Sequence, residues 1–187
     1  MNAVPCAPTK GMPPVSLIDR LLGRNADDRA PVRPLWHRVV EIAREKPWYA
    51  QYGVADTVPG RFDAVTLVLS LVMLRMERDD TLRILAARLT ELFVDDMDGQ
   101  LRQSGVGDLV VGKRMGKLMM VLGGRMGALR EALATADPVA ALLPVLDRNV
   151  TLIENADRQA LATAVLALSR QIDATTPEAL LAGEIAR

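Results

Sequence analysis

The residues of this chain that could do chemistry are few, and none of their spacings forms a catalytic centre. His37 is the sole histidine and Cys6 the sole cysteine, so no two-histidine or cysteine–histidine metal site and no internal disulfide can form. No serine lies in a sequence typical of a Ser-His-Asp triad. His37 and Glu41, one helical turn apart, are typical of a solvated pair. The sequence therefore predicts no catalytic, cofactor-binding or metal-binding residues.

Three neighbouring aspartates, Asp95, Asp96 and Asp98, would suit a divalent cation if their carboxylates converged. On a helix, however, Asp95 and Asp98 point away from the apolar stripe and Asp96 lies on it, so the three cannot share one ion. A carboxylate on an apolar face needs a partner. We expect Asp96 to pair with Lys113 or Arg125 of the next helix, with contact to a bound protein as the alternative.

The segment from Gly107 to Lys113 has the spacing of a phosphate-binding P-loop up to its lysine. Arg114 then stands where a P-loop needs serine or threonine to hold magnesium. A helix is predicted before it, whereas a phosphate cradle of this kind follows a strand. We therefore interpret the segment as a helix–helix turn and the start of a helix.

The composition and charge of the chain limit its possible partners and its location. The chain has 187 residues, 50% hydrophobic and only 3% aromatic, with zero formal net charge and a pI near 6.6. This balance predicts no specific recognition of nucleic acid and leaves only local patches for a membrane surface. The longest uncharged apolar run, Ala64–Leu74, is shorter than the roughly 20 residues of a membrane span. With one cysteine and no secretory signal, we expect a cytoplasmic protein, in part peripheral at the inner membrane.

The hydrophobic periodicity predicts an all-α fold, an irregular bundle of about six to eight helices. Helices are expected over about 17–23, 34–45, 62–77, 79–104, 109–136, from 138 with an interruption or kink at Pro144, over 155–172, and from 177. Residues 1–14 are predicted to be disordered and 15–187 to form one domain. A long structured loop at 48–61 contains Trp48 and Tyr49, which we expect to anchor the core, with partner contact as the alternative.

The helix predicted over 109–136 combines an apolar stripe with glycines and cations. Its Met/Leu stripe favours a core face. Gly112, Gly116, Gly123 and Gly127 fall within roughly 60° of arc, which favours close contact with another helix of the chain, or else a groove for a bound protein. The opposite face carries a basic strip of Lys113, Arg114, Lys117 and Arg125. This strip could neutralise the acidic preceding helix, or face outward towards ribosomal RNA, anionic lipid or an acidic partner.

Three blocks of sequence resemble the ubiquinol–cytochrome c chaperone family. They are Trp48-Tyr49 with Gly53-Val54-Ala55-Asp56-Thr57 and Gly60-Arg61-Phe62-Asp63; Leu92-Phe93 with Asp95-Asp96-Met97-Asp98 and Leu101-Arg102; and Gly105-Val106-Gly107-Asp108-Leu109 with Gly112-Lys113 and Met115. The likeness covers about residues 34–135. The chain departs from the family at Leu122-Gly123-Gly124-Arg125, where an aromatic pair is usual before Gly-Arg, and at Gly116-Lys117 in place of a double lysine.

The resemblance implies an all-helical, non-enzymatic assembly factor for complex III that binds newly made cytochrome b. It implies further contacts with the ribosome or a small partner protein. Candidate client- or partner-binding residues are Trp48, Tyr49, Asp56, Thr57, Arg61, Asp96, Asp108, Lys113, Lys117 and Arg125. The alternative function is a scaffolding module that docks on a ribosome or membrane surface through the basic strip of helix 109–136. An enzyme would require a cofactor that supplies all the chemistry.

Overall fold

A computed structural model describes residues 27–103 and 108–186, with side chains at 101–103 and 108–115 left out of the description. A 3₁₀ turn at Ala30–Val32 precedes α1 (Arg33–Ala43), α2 (Lys46–Ala50), α3 (Val58–Glu77), α4 (Arg83–Gln103), α5 (Asp108–Leu133), α6 (Pro138–Asn149), α7 (Arg158–Ala174) and α8 (Pro177–Leu181). These residues contain one isolated antiparallel bridge, Val54–Leu152, and no strand. The all-α prediction is confirmed. The segments predicted at 1–14 and 17–23 lie outside the described residues.

Helix α3 is the centre of the bundle. It packs against α1, α4, α5 and α7, and its side chains from Ala64 to Met76 are buried on nearly every side. An all-round apolar helix is the expected element at such a position. The two polar residues buried on it, Thr66 and Ser70, donate their hydroxyls to backbone carbonyls one turn earlier, at 3.0 Å and 2.6 Å.

The start of α3 lies four residues before the predicted one. Thr57 is its N-cap, and the Thr57 hydroxyl accepts a hydrogen bond from the Gly60 amide at 3.3 Å. Pro59 stands in the first turn, where its missing N–H costs nothing. Helix α6, by contrast, runs through Pro144 without the predicted interruption. Pro144 and Ala140 are both exposed, so water can satisfy the Ala140 carbonyl that loses its partner.

The predicted loop is a short helix, α2, followed by an extended segment docked on the α6–α7 connection. The Ala55 amide donates to the Thr151 carbonyl and the Ile153 amide to the Gly53 carbonyl, both at 2.9 Å. Gly53 has φ +79°, and a Cβ there would lie 2.5 Å from Ala156 Cα. Only glycine fits this turn without strain.

The placement of Arg125 on a basic face opposite the apolar stripe is wrong, because this side chain is 2% exposed. It donates to the Asp63 carboxylate at 2.9 Å, the Asp63 carbonyl at 3.0 Å, the Thr66 hydroxyl and the Asn149 carbonyl. The expected pair between Arg125 and Asp96 does not form; Asp96 is exposed. The reason is geometric: Arg125 follows Leu118 by seven residues, about 20° away in projection, and so belongs to the buried side of α5.

The glycines of α5 also depart from the favoured prediction. A Cβ built on Gly116, Gly123 or Gly127 would meet nothing within 4 Å. No helix of the described chain therefore approaches closely at these positions, and the expected internal contact is wrong for them. Gly112 lies outside the described side chains.

Candidate functional site

An apolar groove lies where the start of α3, the end of α4 and the middle of α5 meet. Its volume is about 490 Å³. The residues that line it are Arg44, Tyr49, Val58, Pro59, Arg61, Phe62, Val65, Met97, Gln100 and Leu118. A cavity of this size falls within the range of ligand pockets, about 300–1,000 Å³.

The floor of the groove is continuous with the core. Phe62, Val65 and Leu118 are half-buried against core side chains, and Met97 is 8% exposed. The Phe62 ring lies 6.5 Å from the Phe93 ring, centroid to centroid. Val58 stands at the rim with 84% of its surface exposed. The groove thus offers apolar surface that the described chain leaves uncovered.

One end of the groove is basic. The adjoining cavity is lined by Arg44, Lys46, Tyr49, Ala50, Asp56 and Arg61. The Arg61 guanidinium donates to the Asp56 carboxylate at 2.6 Å. This hydrogen bond lowers the pKa of Asp56 and raises the pKa of Arg61, so both groups stay charged. Arg44 and Lys46 are exposed and have no ion pair with any other described residue.

Tyr49 forms the wall between the apolar and basic parts. Its hydroxyl donates to the Ala43 carbonyl at 2.6 Å, which fixes the ring against the end of α1. Burial is the main cause that raises the pKa of the Tyr49 phenol. The ring therefore presents a neutral, rigid surface at physiological pH.

The structure brings together three of the predicted site residues, Tyr49, Asp56 and Arg61. Trp48, the neighbour of Tyr49, is 1% exposed, and its indole N–H donates to the Ile42 carbonyl at 2.7 Å. It is therefore the predicted core anchor and cannot also touch a partner directly. Thr57 serves as the α3 cap.

The remaining predicted site residues do not line this groove. Lys117 is exposed on α5 and Asp96 on α4, while Arg125 is buried. The side chains of Asp108 and Lys113 lie outside the description. Among the described residues, no group of three or more His, Cys, Asp or Glu side chains could hold a metal ion; Asp95 instead forms an ion pair with Arg29.

Sequence reasoning missed most of the groove. Its apolar lining comes from Val58, Phe62, Val65, Met97 and Leu118, which periodicity assigns simply to core faces or to a loop. One signal was available: Val58-Pro59 is an apolar pair inside a polar stretch between Asp56 and Arg61. An exposed valine in the first turn of a helix indicates an apolar surface that a binding partner could cover.

A second, polar cleft of about 610 Å³ lies over the buried Arg125. Asp63 lines it and links three parts of the chain. One Asp63 oxygen accepts from Arg125, and the other accepts from the Thr151 amide at 2.9 Å and hydroxyl at 2.7 Å. The two terminal nitrogens of Arg125 are bonded, whereas its buried Nε has no hydrogen-bond partner among the described residues. Because these contacts join α3, α5 and the end of α6, we interpret the cleft as structural.

Fold and site together define an all-helical protein with an apolar groove that has a basic end. The family model for the ubiquinol–cytochrome c chaperone matches residues 50–187. The crystal structure of the Cbp3 homolog from Brucella abortus is similar at 34% sequence identity and a TM-score of 0.74, covering 91% of this chain and 96% of that one. A comparison with functionally curated proteins finds no match. The chain belongs to the ubiquinol–cytochrome c chaperone family.

Proposed function

We propose that this protein is a non-enzymatic chaperone of complex III assembly and that its apolar groove holds a segment of newly made cytochrome b. Family membership supports the role in complex III assembly. The observation that carries the proposed mode of binding is the groove itself, where uncovered Val58 stands beside half-buried Phe62, Val65 and Leu118. A hydrophobic segment that waits for the membrane needs such a surface to avoid aggregation.

The groove suits a helical or extended apolar segment. Most of its lining is apolar and includes the flexible thioether of Met97, a side chain that adapts to different apolar shapes. The volume of about 490 Å³ admits a few side chains of a client. Client residues at helical spacing would fill it from one face, as in other helix-in-groove complexes.

We place this activity in the cytoplasm, in part at the membrane periphery, where a nascent client is available. The ribosome and a small partner protein remain proposed contacts. No described helix has the length and hydropathy needed to cross a bilayer.

The alternative, docking through the basic strip of α5, receives less support. Of the cations of this helix, Arg125 is buried and Arg130 pairs with Glu77 at 2.6 Å. Among the described side chains of α5, only Lys117 is left as an exposed cation outside an ion pair, and one lysine gives little attraction to a polyanion at physiological salt. The side chains of Lys113 and Arg114 lie outside the described ones.

Cell-free translation of the host's cytochrome b tests the proposal. The purified protein is expected to keep a large share of cytochrome b out of the aggregated fraction, and the variant Val58→Asn to lose about ten-fold in apparent affinity. Ile84→Asn is the matched control, since Ile84 is 76% exposed in the first turn of α4 and does not line the groove.

Two results would overturn the proposal. In one, Val58→Asn and Ile84→Asn protect cytochrome b as well as the wild type, which would remove the groove from client binding. In the other, an unrelated polytopic membrane protein is protected equally well, which would make the protein a general holdase instead of an assembly factor.

A further inference from the structure

The basic end of the groove carries charge that the described chain leaves unbalanced. Arg44, Lys46 and Arg61 contribute three cations to its lining, and Asp56 is the one acidic residue among the residues that line it. Asp56 is already engaged by Arg61 at 2.6 Å. Arg44 and Lys46 are left as two exposed cations at one end of an apolar surface.

This arrangement favours one orientation of any protein segment that binds in the groove. A segment lying in the groove places apolar side chains on Phe62, Val65 and Leu118, and its next residues reach Arg44 and Lys46. A carboxylate there gains charge-assisted hydrogen bonds, whereas an ammonium or guanidinium meets two like charges. Tyr49 fixes the position of the apolar part relative to the basic part, because its hydroxyl donates a hydrogen bond to the Ala43 carbonyl.

We propose that Arg44 and Lys46 form a selectivity element that favours client segments with acidic side chains immediately beside an apolar stretch. The inference rests on the proposed function and names the class of client segment: an amphipathic protein segment with two or three carboxylates at one end. Such a device rejects the basic flanks that commonly border cytoplasmic ends of membrane helices. It therefore makes the groove choose between apolar segments of one client.

A protein segment fits these observations better than an anionic lipid surface. Stable attachment to a membrane surface takes a cluster of several cations. Here two exposed cations, without an ion pair to any described residue, border a concave cavity of about 490 Å³. The side chains of a bound protein segment can enter a concave apolar cavity, whereas the surface of a flat bilayer cannot.

Three fluorescent peptides of about 18 residues test the inference against the full-length protein. They share one amphipathic helical sequence with leucines at helical spacing and differ in three residues at one end, which are acidic, neutral amide or basic. The comparison is then repeated with a second set of three peptides that carry the variable residues at the other end. By fluorescence anisotropy, the acidic peptide is expected to bind about five- to ten-fold more tightly than the neutral one, and the basic peptide least. The preference should shrink as salt rises.

Charge variants assign the effect to the two residues. Arg44→Glu/Lys46→Glu is expected to reverse the order of the peptides, and Arg44→Gln/Lys46→Gln to abolish it with less risk to the end of α1. Arg148→Glu/Arg170→Glu is the matched control, with the same change in net charge on exposed arginines of α6 and α7. It should keep the wild-type order.

The outcomes separate this inference from the proposed function. Equal binding of all three peptides, lowered for each by Val58→Asn, would overturn the selectivity element and leave the groove intact. Binding of none, or binding unaffected by Val58→Asn, would overturn the proposed groove as well. Sedimentation with anionic vesicles that is lost in Arg44→Glu/Lys46→Glu, without a peptide preference, would assign the cations to a membrane and overturn the inference.

Discussion

The charged guanidinium of Arg125 is buried in the interior of the bundle. Its hydrogen-bond partners offset the free-energy cost of burying that charge. The guanidinium joins α5 to the Asp63 carboxylate on α3 and to the end of α6. Removing one member of a buried, hydrogen-bonded ion pair costs about 3–5 kcal/mol, because the other charge is left unpaired. We expect Arg125→Met to lower the free energy of unfolding by that amount in urea denaturation.

The matched control for Arg125 lies on the same helix. Arg130 pairs with Glu77, but both side chains are more than a third exposed, and exposed pairs contribute about 0–1 kcal/mol. Arg130→Met should therefore change stability little. Equal losses in the two variants would contradict the structural role given to Arg125.

Asp56 gives a pH-dependent test at the rim of the groove. The hydrogen bond from Arg61 lowers the pKa of Asp56 below its ordinary value of 3.8. Its contribution to stability is therefore complete above about pH 3.8 and is lost as pH falls through the lowered value. Titration followed by the carboxyl ¹³C shift should show this lowered pKa, and Arg61→Gln should return it towards 3.8. An unchanged pKa in Arg61→Gln would contradict the pair.

At the scale of the helix, α5 carries glycines that its own packing does not require. A Cβ at Gly116 or Gly123 would meet only open space, and alanine favours a helix over glycine by about 1 kcal/mol. Gly116→Ala and Gly123→Ala are each expected to raise the thermal midpoint. Gly53→Ala should lower it, because Gly53 has φ +79° and closely approaches Ala156. Destabilisation by both α5 substitutions would contradict the open space around Gly116 and Gly123.

Helical periodicity predicted the elements well and some of their ends poorly. Apolar residues at three- and four-residue spacing predict one buried face for α4, and that face is buried apart from half-buried Leu85. Its residues are Leu85, Leu89, Leu92, Phe93 and Met97, with Leu82 just before the helix. The start of α3 was misplaced because the local signal of Thr57 with Pro59 was outweighed by Gly60. Gly60 is needed for another reason: a Cβ there would lie 2.0 Å from the Ala55 carbonyl oxygen.

At the scale of the whole molecule, the groove depends on tertiary packing that no local pattern encodes. Its lining comes from four separated stretches, represented by Tyr49, Phe62, Met97 and Leu118. Of the candidate residues that the family resemblance singled out, Tyr49, Asp56 and Arg61 line one surface; their role in binding stays a prediction. The resemblance also selected Trp48 and Arg125. Tryptophan and arginine are common in binding sites, but these two side chains are buried in the core. Burial of a charged side chain such as Arg125 is decided by partners distant in sequence, here Asp63, 62 residues earlier.

The measurement that tests the central claim most directly is site-specific photo-cross-linking in the native host. A photoreactive side chain at position 58 should capture newly made cytochrome b, because Val58 stands exposed at the rim of the groove. The same group at position 84, which is similarly exposed but away from the groove, should capture little. Equal capture at both positions, or capture at position 84 alone, would contradict client binding in the groove.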